Sequence, residues 1–284
     1  MLYNFNGAFF EGSEFETTID NRGLNYGDGV FETLKFSNNR INFWEDHYFR
    51  LMSSMRILRM EIPMTFSPEF LEKEIRDTIS AYQKKEHSQN FRIKLLISRK
   101  PGGLYNPNTN EIDYLISLSP IANDKYILNE KGLEVDLFKD FYKQKSMLSN
   151  LKLSSTPLMT LASIFKSENK LDECLMINDE KYLTEAISSN VFILQDSKLR
   201  TPSIASGCLK GIIRKKILEI AGKMEIEIEE TDKLSPFDLQ KAEEVFLSNS
   251  IQGIQWVTKY RKKSYTNELS KKLVQKLNIL SVLN

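Results

Sequence analysis

Apolar residues recur along this chain at two spacings, and the changes from one to the other mark out strands and helices. FNGAFF (5–10) opens on a glycine turn. VFETLKF (30–36) leads through Ser37-Asn38-Asn39-Arg40 into INFW (41–44), the pattern of a hairpin. From Glu45 to Met60 the spacing becomes helical: His47, Leu51, Met55 and Leu58 share one face, with Arg50, Ser54 and Arg56 off it. A better punctuated helix follows, with Ser67 as N-cap, Pro68 at its first position, and Phe70, Leu71, Ile75 and Ile79 as the buried stripe. FRIKLLISR (91–99) and IDYLISLS (112–119) then read as strands on either side of the turn-rich KPGGLYNPNTN (100–110).

The short polar stretch 120–125 is the expected linker, dividing the chain into a smaller N-terminal domain, 1–119, and a larger C-terminal domain, 126–284. Beyond it, LEVDLF (133–138), ECLMIN (173–178), KYLT (181–184), NVFILQD (190–196), IEIEET (226–231), EEVFLSN (243–249) and IQWVTKY (254–260) read as strands. Helices are expected after Ser155-Thr156-Pro157, over 210–223, at SPFDLQKA (235–242, Ser235 as cap and Pro236 at the first position) and over 269–280. Helices and strands interleaved in both halves give an α/β (α+β) class with two packed domains.

Composition narrows the function classes. A chain of 284 residues, 41% hydrophobic and 27% charged, is globular and large enough for two domains. With 39 Lys plus Arg against 38 Asp plus Glu, nothing draws the whole molecule to nucleic acid or to an anionic membrane. Cys174 and Cys208 have no metal-ligand spacing and suit a reducing compartment without a disulfide. No signal-like or spanning apolar run is present, so a cytoplasmic protein without a membrane partner is expected. His47 and His87 make no HExxH pair, so no metal site is expected, and NYGDGVFE (25–32) lacks the spacing of a nucleotide-binding glycine loop.

Four segments carry candidate chemistry. Lys152 lies in SNLKLSSTP (149–157), just before an expected helix, with Lys143 and Lys145 as alternative amines nearby. Glu185 lies in LTEAISSN (183–190), followed by Ser188, Ser189 and Asn190. SGCLKGIIRKKILEI (206–220) sets Gly207 and Gly211 before an amphipathic helix, whose N-terminal N–H groups and dipole suit a phosphate. DHYFRL (46–51) supplies Arg50, whose guanidinium forks onto oxyanions as a lysine does not. Together with NRGLNYGDGVFETLKF (21–36), and in their order along the chain, these segments resemble the fold-type IV family of pyridoxal 5′-phosphate (PLP) enzymes, the class IV aminotransferases.

That resemblance runs from Asn21 to Gln255 and implies a two-domain fold with PLP in the interdomain cleft, in a homodimer. It implies Lys152 as the catalytic amine forming a Schiff base with the cofactor aldehyde, and Glu185 as the acid facing the pyridine nitrogen. Arg50, the main-chain amides of Lys210, Gly211 and Ile212, and Ser189, Asn190, Asn249 and Ser250 would complete the cofactor site, with Ser248 an equal alternative to Ser250. Ser155 and Thr156 stand where the family commonly has an asparagine and an aromatic residue, which leaves the partner of the cofactor's phenolic oxygen open.

Among the branches, the aromatic-x-Arg-Pro strand and TGTAAEV-like segment of branched-chain aminotransferases are absent. SRKPGGLYNP (98–107) and LSNSIQGI (247–254) resemble 4-amino-4-deoxychorismate lyases instead. Arg92 and Lys94 project to one strand face and, with Tyr26, are the candidate contacts for a small amino substrate bearing carboxylates; a solvated edge is the plainer reading of that face. The expectation is a lyase forming 4-aminobenzoate and pyruvate. Amino acid aminotransferase of branched-chain or D-amino acid type is the alternative, and a non-catalytic PLP-binding protein the alternative of another class.

Overall fold

The computed structural model describes residues 2–12 and 15–283. Two compact units emerge, one made of Met1–Asp124 with Lys152–Ser155 and the other of Lys125–Leu151 with Thr156–Asn284.

In the first unit, β1 (Leu2–Phe5), β2 (Ala8–Glu11), β3 (Gly29–Ser37), β4 (Arg40–Ile41), β5 (Phe91–Arg99) and β6 (Ile112–Pro120) form an antiparallel sheet in the order β2-β1-β6-β5-β3-β4. Its helices are α1 (Arg22–Tyr26), α2 (Trp44–Ile57) and α3 (Pro68–Gln83). Asn6 and Gly7, with φ of 51° and 86°, make the tight turn between β1 and β2. The Ser67 hydroxyl accepts from the Phe70 N–H at 3.2 Å, the cap expected for α3.

One sheet face carries Val30, Leu34, Phe36, Ile93, Leu95 and Ile116 against Leu51, Met55, Leu71 and Ile75 of the helices, all buried. Each such side chain contributes roughly 1.5–3 kcal/mol by leaving water. The other face carries Phe31, Thr33 and Lys35 of β3 beside Arg92 and Lys94 of β5, with Lys35 opposite Arg92 and Thr33 opposite Lys94.

In the second unit the sheet path runs β12 (Glu227–Thr231), β11 (Lys198–Pro202), β10 (Asn190–Gln195), β13 (Glu244–Asn249), β14 (Gly253–Tyr260), β7 (Leu133–Lys143), β8 (Glu173–Asn178) and β9 (Leu183–Ala186). A short β15 (Lys263–Ser264) pairs with β14. Around it lie α4 (Pro157–Glu168), α5 (Ile212–Lys223), α6 (Asp238–Lys241) and α7 (Glu268–Leu283). Glu244, buried, fixes the start of α7 by accepting from the Leu269 and Ser270 N–H groups at 2.7 and 3.1 Å.

Several local expectations are corrected. One short helix was not expected: α1 precedes β3, its first turn capped by the Asn21 side chain. Arg50 and Ser54, read as off the apolar stripe, are largely covered: Arg50 because Glu32 draws it in, Ser54 because its hydroxyl donates to the Arg50 carbonyl at 2.8 Å. Leu58 falls just past the end of α2 and is half-buried. β9 spans Leu183–Ala186 rather than 181–184, because Lys181 sits at φ 67° in the preceding turn. The helix in SPFDLQKA starts only at Asp238; the Ser235 hydroxyl accepts from the Phe237 N–H at 3.2 Å in a turn before it. β7 runs five residues beyond LEVDLF, to Lys143.

Candidate active site

In the second unit, Glu185 sits on β9 and is 4% exposed. Its Oε1 accepts from the ammonium of Lys143, also buried, and its Oε2 accepts from the Leu209 N–H at 2.7 Å. The Leu209 carbonyl accepts in turn from the Asn190 side-chain amide at 2.9 Å, so the main chain of one residue links the acid to the start of β10. No sequence signal marks Leu209, because its contribution is main chain alone.

Of the residues expected around phosphate, Asn190 and Gly211 meet at that turn, whereas Arg50 belongs to the first unit. Gly211 is the N-cap of α5, and no side chain caps the helix. A Cβ on Gly211 would collide with the Asn190 side-chain oxygen, so glycine is required by close approach. Ser248 lies opposite Asn190 across β13, buried, and its hydroxyl has no hydrogen-bond partner among the described residues. Asn249 donates to the Ser189 hydroxyl at 3.0 Å and accepts from the Ile251 and Gln252 N–H groups at 3.0 and 2.8 Å, holding the turn that contains Ser250. These contacts join Glu185, Asn190 and Gly211 through the Leu209 main chain, Asn190 to Ser248 across the strand pair, and Ser189 to Asn249, while the Lys210 side chain is exposed. An uncapped helix start, a glycine cradle and an orphaned buried hydroxyl fit a bound oxyanion.

In the first unit, Glu32 on β3 takes a fork from Arg50, Nε to Oε1 at 2.8 Å and Nη2 to Oε2 at 2.6 Å, and a hydrogen bond with His47 Nδ1 at 2.7 Å. Burial would raise the Glu32 carboxyl, but the Arg50 charge and the bonds from Arg50 and His47 outweigh it and hold it down to about 2. Burial, against the opposing pull of Glu32, lowers His47, which leaves it a neutral donor to the carboxylate at pH 7.

Lys152 belongs to the same unit. Its carbonyl accepts from the Phe31 N–H at 2.9 Å, and the Ser154 N–H donates to the Gly29 carbonyl at 2.9 Å, pinning this segment along the start of β3. A Cβ on Gly29 would press on the Ile97 carbonyl and the Ser154 hydroxyl, which is why that approach needs glycine. The Lys152 ammonium lies 4.4 Å from the centre of the Phe31 ring, and that of Lys94 5.0 Å from it. Lys94 is lowered by burial first and by the Arg92 charge second. Tyr26 is exposed and packs on Tyr105 with ring centres 5.8 Å apart; Arg22 lies over Tyr26 and donates to the Leu104 carbonyl at 2.6 Å, tying the GGLYNP turn to α1.

The family profile of amino-transferase class IV matches residues 29–260. This chain belongs to the class IV aminotransferase family. As a member it is a PLP-dependent enzyme with a mixed α/β fold on two sheets. It is 25% identical to a putative branched-chain-amino-acid aminotransferase of Methanocaldococcus jannaschii, over 97% of this chain and 95% of that protein. It is 23% identical to an aminodeoxychorismate lyase of Vibrio harveyi, over 83% and 84% of the two chains. In fold the chain is similar to the branched-chain aminotransferase of Thermoproteus uzoniensis solved with norvaline, at a TM-score of 0.85 and 22% identity, covering 98% of this chain and 93% of that one.

Among the described residues no group of three His, Cys, Asp or Glu is placed to hold a metal ion, and no helix is long and apolar enough to cross a membrane. Cys174 and Cys208 are both buried and free.

Proposed function

We propose that this class IV aminotransferase-family enzyme is a 4-amino-4-deoxychorismate lyase, releasing pyruvate and 4-aminobenzoate. The observation that carries the reading is the row of cations Lys35, Arg92 and Lys94 on one sheet face, with Lys35 directly opposite Arg92. Lys94 is lowered by burial and then by the Arg92 charge, so the Arg92–Lys94 part of this face gains by meeting anions, while Lys35 is itself buried, pushed down to about 8 against the pull of Asp124. A substrate with two carboxylates supplies them. The lyase-like segments GGLYNP and Asn249-Ser250 point the same way, and Tyr26 stands beside the first of them.

Bound PLP supplies an electron sink for the bonds at the substrate's amino-bearing carbon. Lys152 is the amine that holds the cofactor aldehyde and afterwards moves protons as a base. Lys143 is a poor candidate for that amine: it is paired with Glu185, and the ring nitrogen faced by Glu185 lies para to the carbon bearing the aldehyde. Arg50, the amides of Lys210, Gly211 and Ile212, and the side chains of Ser189, Asn190, Asn249 and Ser250 anchor the cofactor; Ser248, orphaned and buried, joins them. The family resemblance supports a homodimer, and near-zero net charge with two buried free thiols supports a cytoplasmic setting.

Aminodeoxychorismate alone should give 4-aminobenzoate and pyruvate without any 2-oxoacid. The second reading, an amino acid aminotransferase, is favoured by the M. jannaschii relative that spans almost the whole chain. Silence on aminodeoxychorismate, with conversion of L-leucine or D-alanine only when 2-oxoglutarate is present, decides for it. PLP bound without turnover of any amino donor decides for a non-catalytic binder.

A further inference from the structure

Lys143 lies at the far end of β7, past an irregularity where pairing with β8 jumps from Phe138 opposite Met176 to Lys143 opposite Asn178. Its neighbours Phe141 and Tyr142 are exposed, whereas its own side chain is 8% exposed and ends on the buried Glu185. Burying an ammonium and a carboxylate is costly, and a pair this deep is poorly explained as a stabilising device. The family resemblance assigns nothing to Lys143.

We infer that Lys143 is a positioning residue for Glu185, holding the carboxylate charged and fixed so that a proton shared with the pyridine nitrogen stays on the nitrogen. The inference rests on the PLP reading given above. A carboxylate has about four lone-pair positions. Lys143 takes one on Oε1 and the Leu209 N–H one on Oε2, which leaves acceptor capacity on both oxygens and freedom to rotate on neither. A cation at one edge of a carboxylate makes the opposite edge a weaker base, and the resulting order of cation, anion and pyridinium keeps the ring protonated. The Cys208 thiol also lies in this field; burial and then the Glu185 charge push it up to about 11, so as a neutral group it competes for neither partner.

The test uses the full chain freed of cofactor: wild type, Lys143→Met, Lys143→Arg, Glu185→Gln and the Lys143→Met/Glu185→Gln double variant. Each is titrated with PLP while the visible absorption of bound cofactor and its pH profile are recorded. Lys143→Met loses roughly tenfold or more in affinity. Its absorbance titration moves to higher pH by about one unit, because a ring without its proton leaves the lysine–cofactor linkage more basic. Lys143→Arg restores both properties. In the Glu185→Gln background, Lys143→Met changes affinity by less than about twofold, since the group it positions is already gone.

A Lys143→Met protein with wild-type affinity and pH profile overturns the inference. So does an equal loss in both backgrounds, the result a merely structural strand end would give. Cofactor trapped by borohydride on the Lys143 peptide also overturns it, by making Lys143 the linking amine. Should Lys143→Met fail to fold, Lys143→Gln, which keeps an N–H donor without the charge, is read in its place with the same outcomes. A wild type that takes up no PLP at all removes the cofactor reading and this inference with it, whereas normal uptake with an indifferent Lys143 removes the inference alone.

Discussion

Replacing Glu32 with glutamine isolates one charge in the first unit. The carboxylate is buried and takes two bonds from Arg50 and one from His47. Its pKa falls from 4.5 to about 2, burial raising it and Arg50 then His47 more than reversing that. A lowered carboxyl adds stability that is fully present above 4.5 and is lost as pH falls toward 2. At about 1.4 kcal/mol per unit the shift is worth roughly 3 kcal/mol at pH 7, and about half of that at pH 3. Glutamine also turns an amide N–H toward Arg50 and leaves that cation short of a partner, so the whole cost at pH 7 should reach roughly 3–5 kcal/mol.

The assay is urea unfolding followed by the fluorescence of Trp44, which opens α2 one turn from His47. Both proteins carry Trp256→Phe, removing the other of the two tryptophans, and His47→Gln, removing a neighbouring titration while keeping a donor for Glu32. The stability difference between the protein that keeps Glu32 and its Glu32→Gln counterpart should shrink by roughly 2 kcal/mol between pH 7 and pH 3. A difference below about 1 kcal/mol at pH 7, or one that does not shrink on acidification, would refute the account of this cluster.

Two further outcomes bear on the cofactor. Lys152→Ala should abolish turnover and leave the unfolding midpoint nearly unchanged, since the side chain is half-exposed and outside the apolar core; borohydride reduction of the wild type should place the label on the Lys152 peptide, and a label on Lys143 or Lys145 would contradict the choice of amine. Gly211→Ala forces a methyl onto the Asn190 side chain and should cost about 1–3 kcal/mol and weaken PLP binding, while Gly222→Ala in the same helix, with nothing near its added methyl, should be neutral or better. Equal behaviour of the two alanine variants would show that the glycine cradle is dispensable.

Most of the regular structure was legible because local chemistry dictates it. Period-two alternation in FRIKLLISR survives as β5, and Ser67-Pro68 begins α3 in the expected way, since a strand face and a helix cap are each settled by a few neighbouring residues. The order of Arg50, Lys152, Glu185 and the Gly207–Gly211 turn was enough to suggest the family. What sequence spacing leaves open is which distant groups share charge. Arg50 reads as a polar helix position in the sequence, yet Glu32, 18 residues earlier, draws it inward. Lys143 reads in the sequence only as an alternative amine near Lys152, and it is the extension of β7 that brings it to Glu185, 42 residues away. Leu209 left no trace at all in the sequence, because a main-chain N–H is common to nearly every residue and becomes specific only when folding aims it at a carboxylate. Local pattern thus determined the elements and the candidate chemistry, while the partners of each buried charge were decided by tertiary structure, because the cost of taking an ion out of water is met by whichever opposite group the fold delivers.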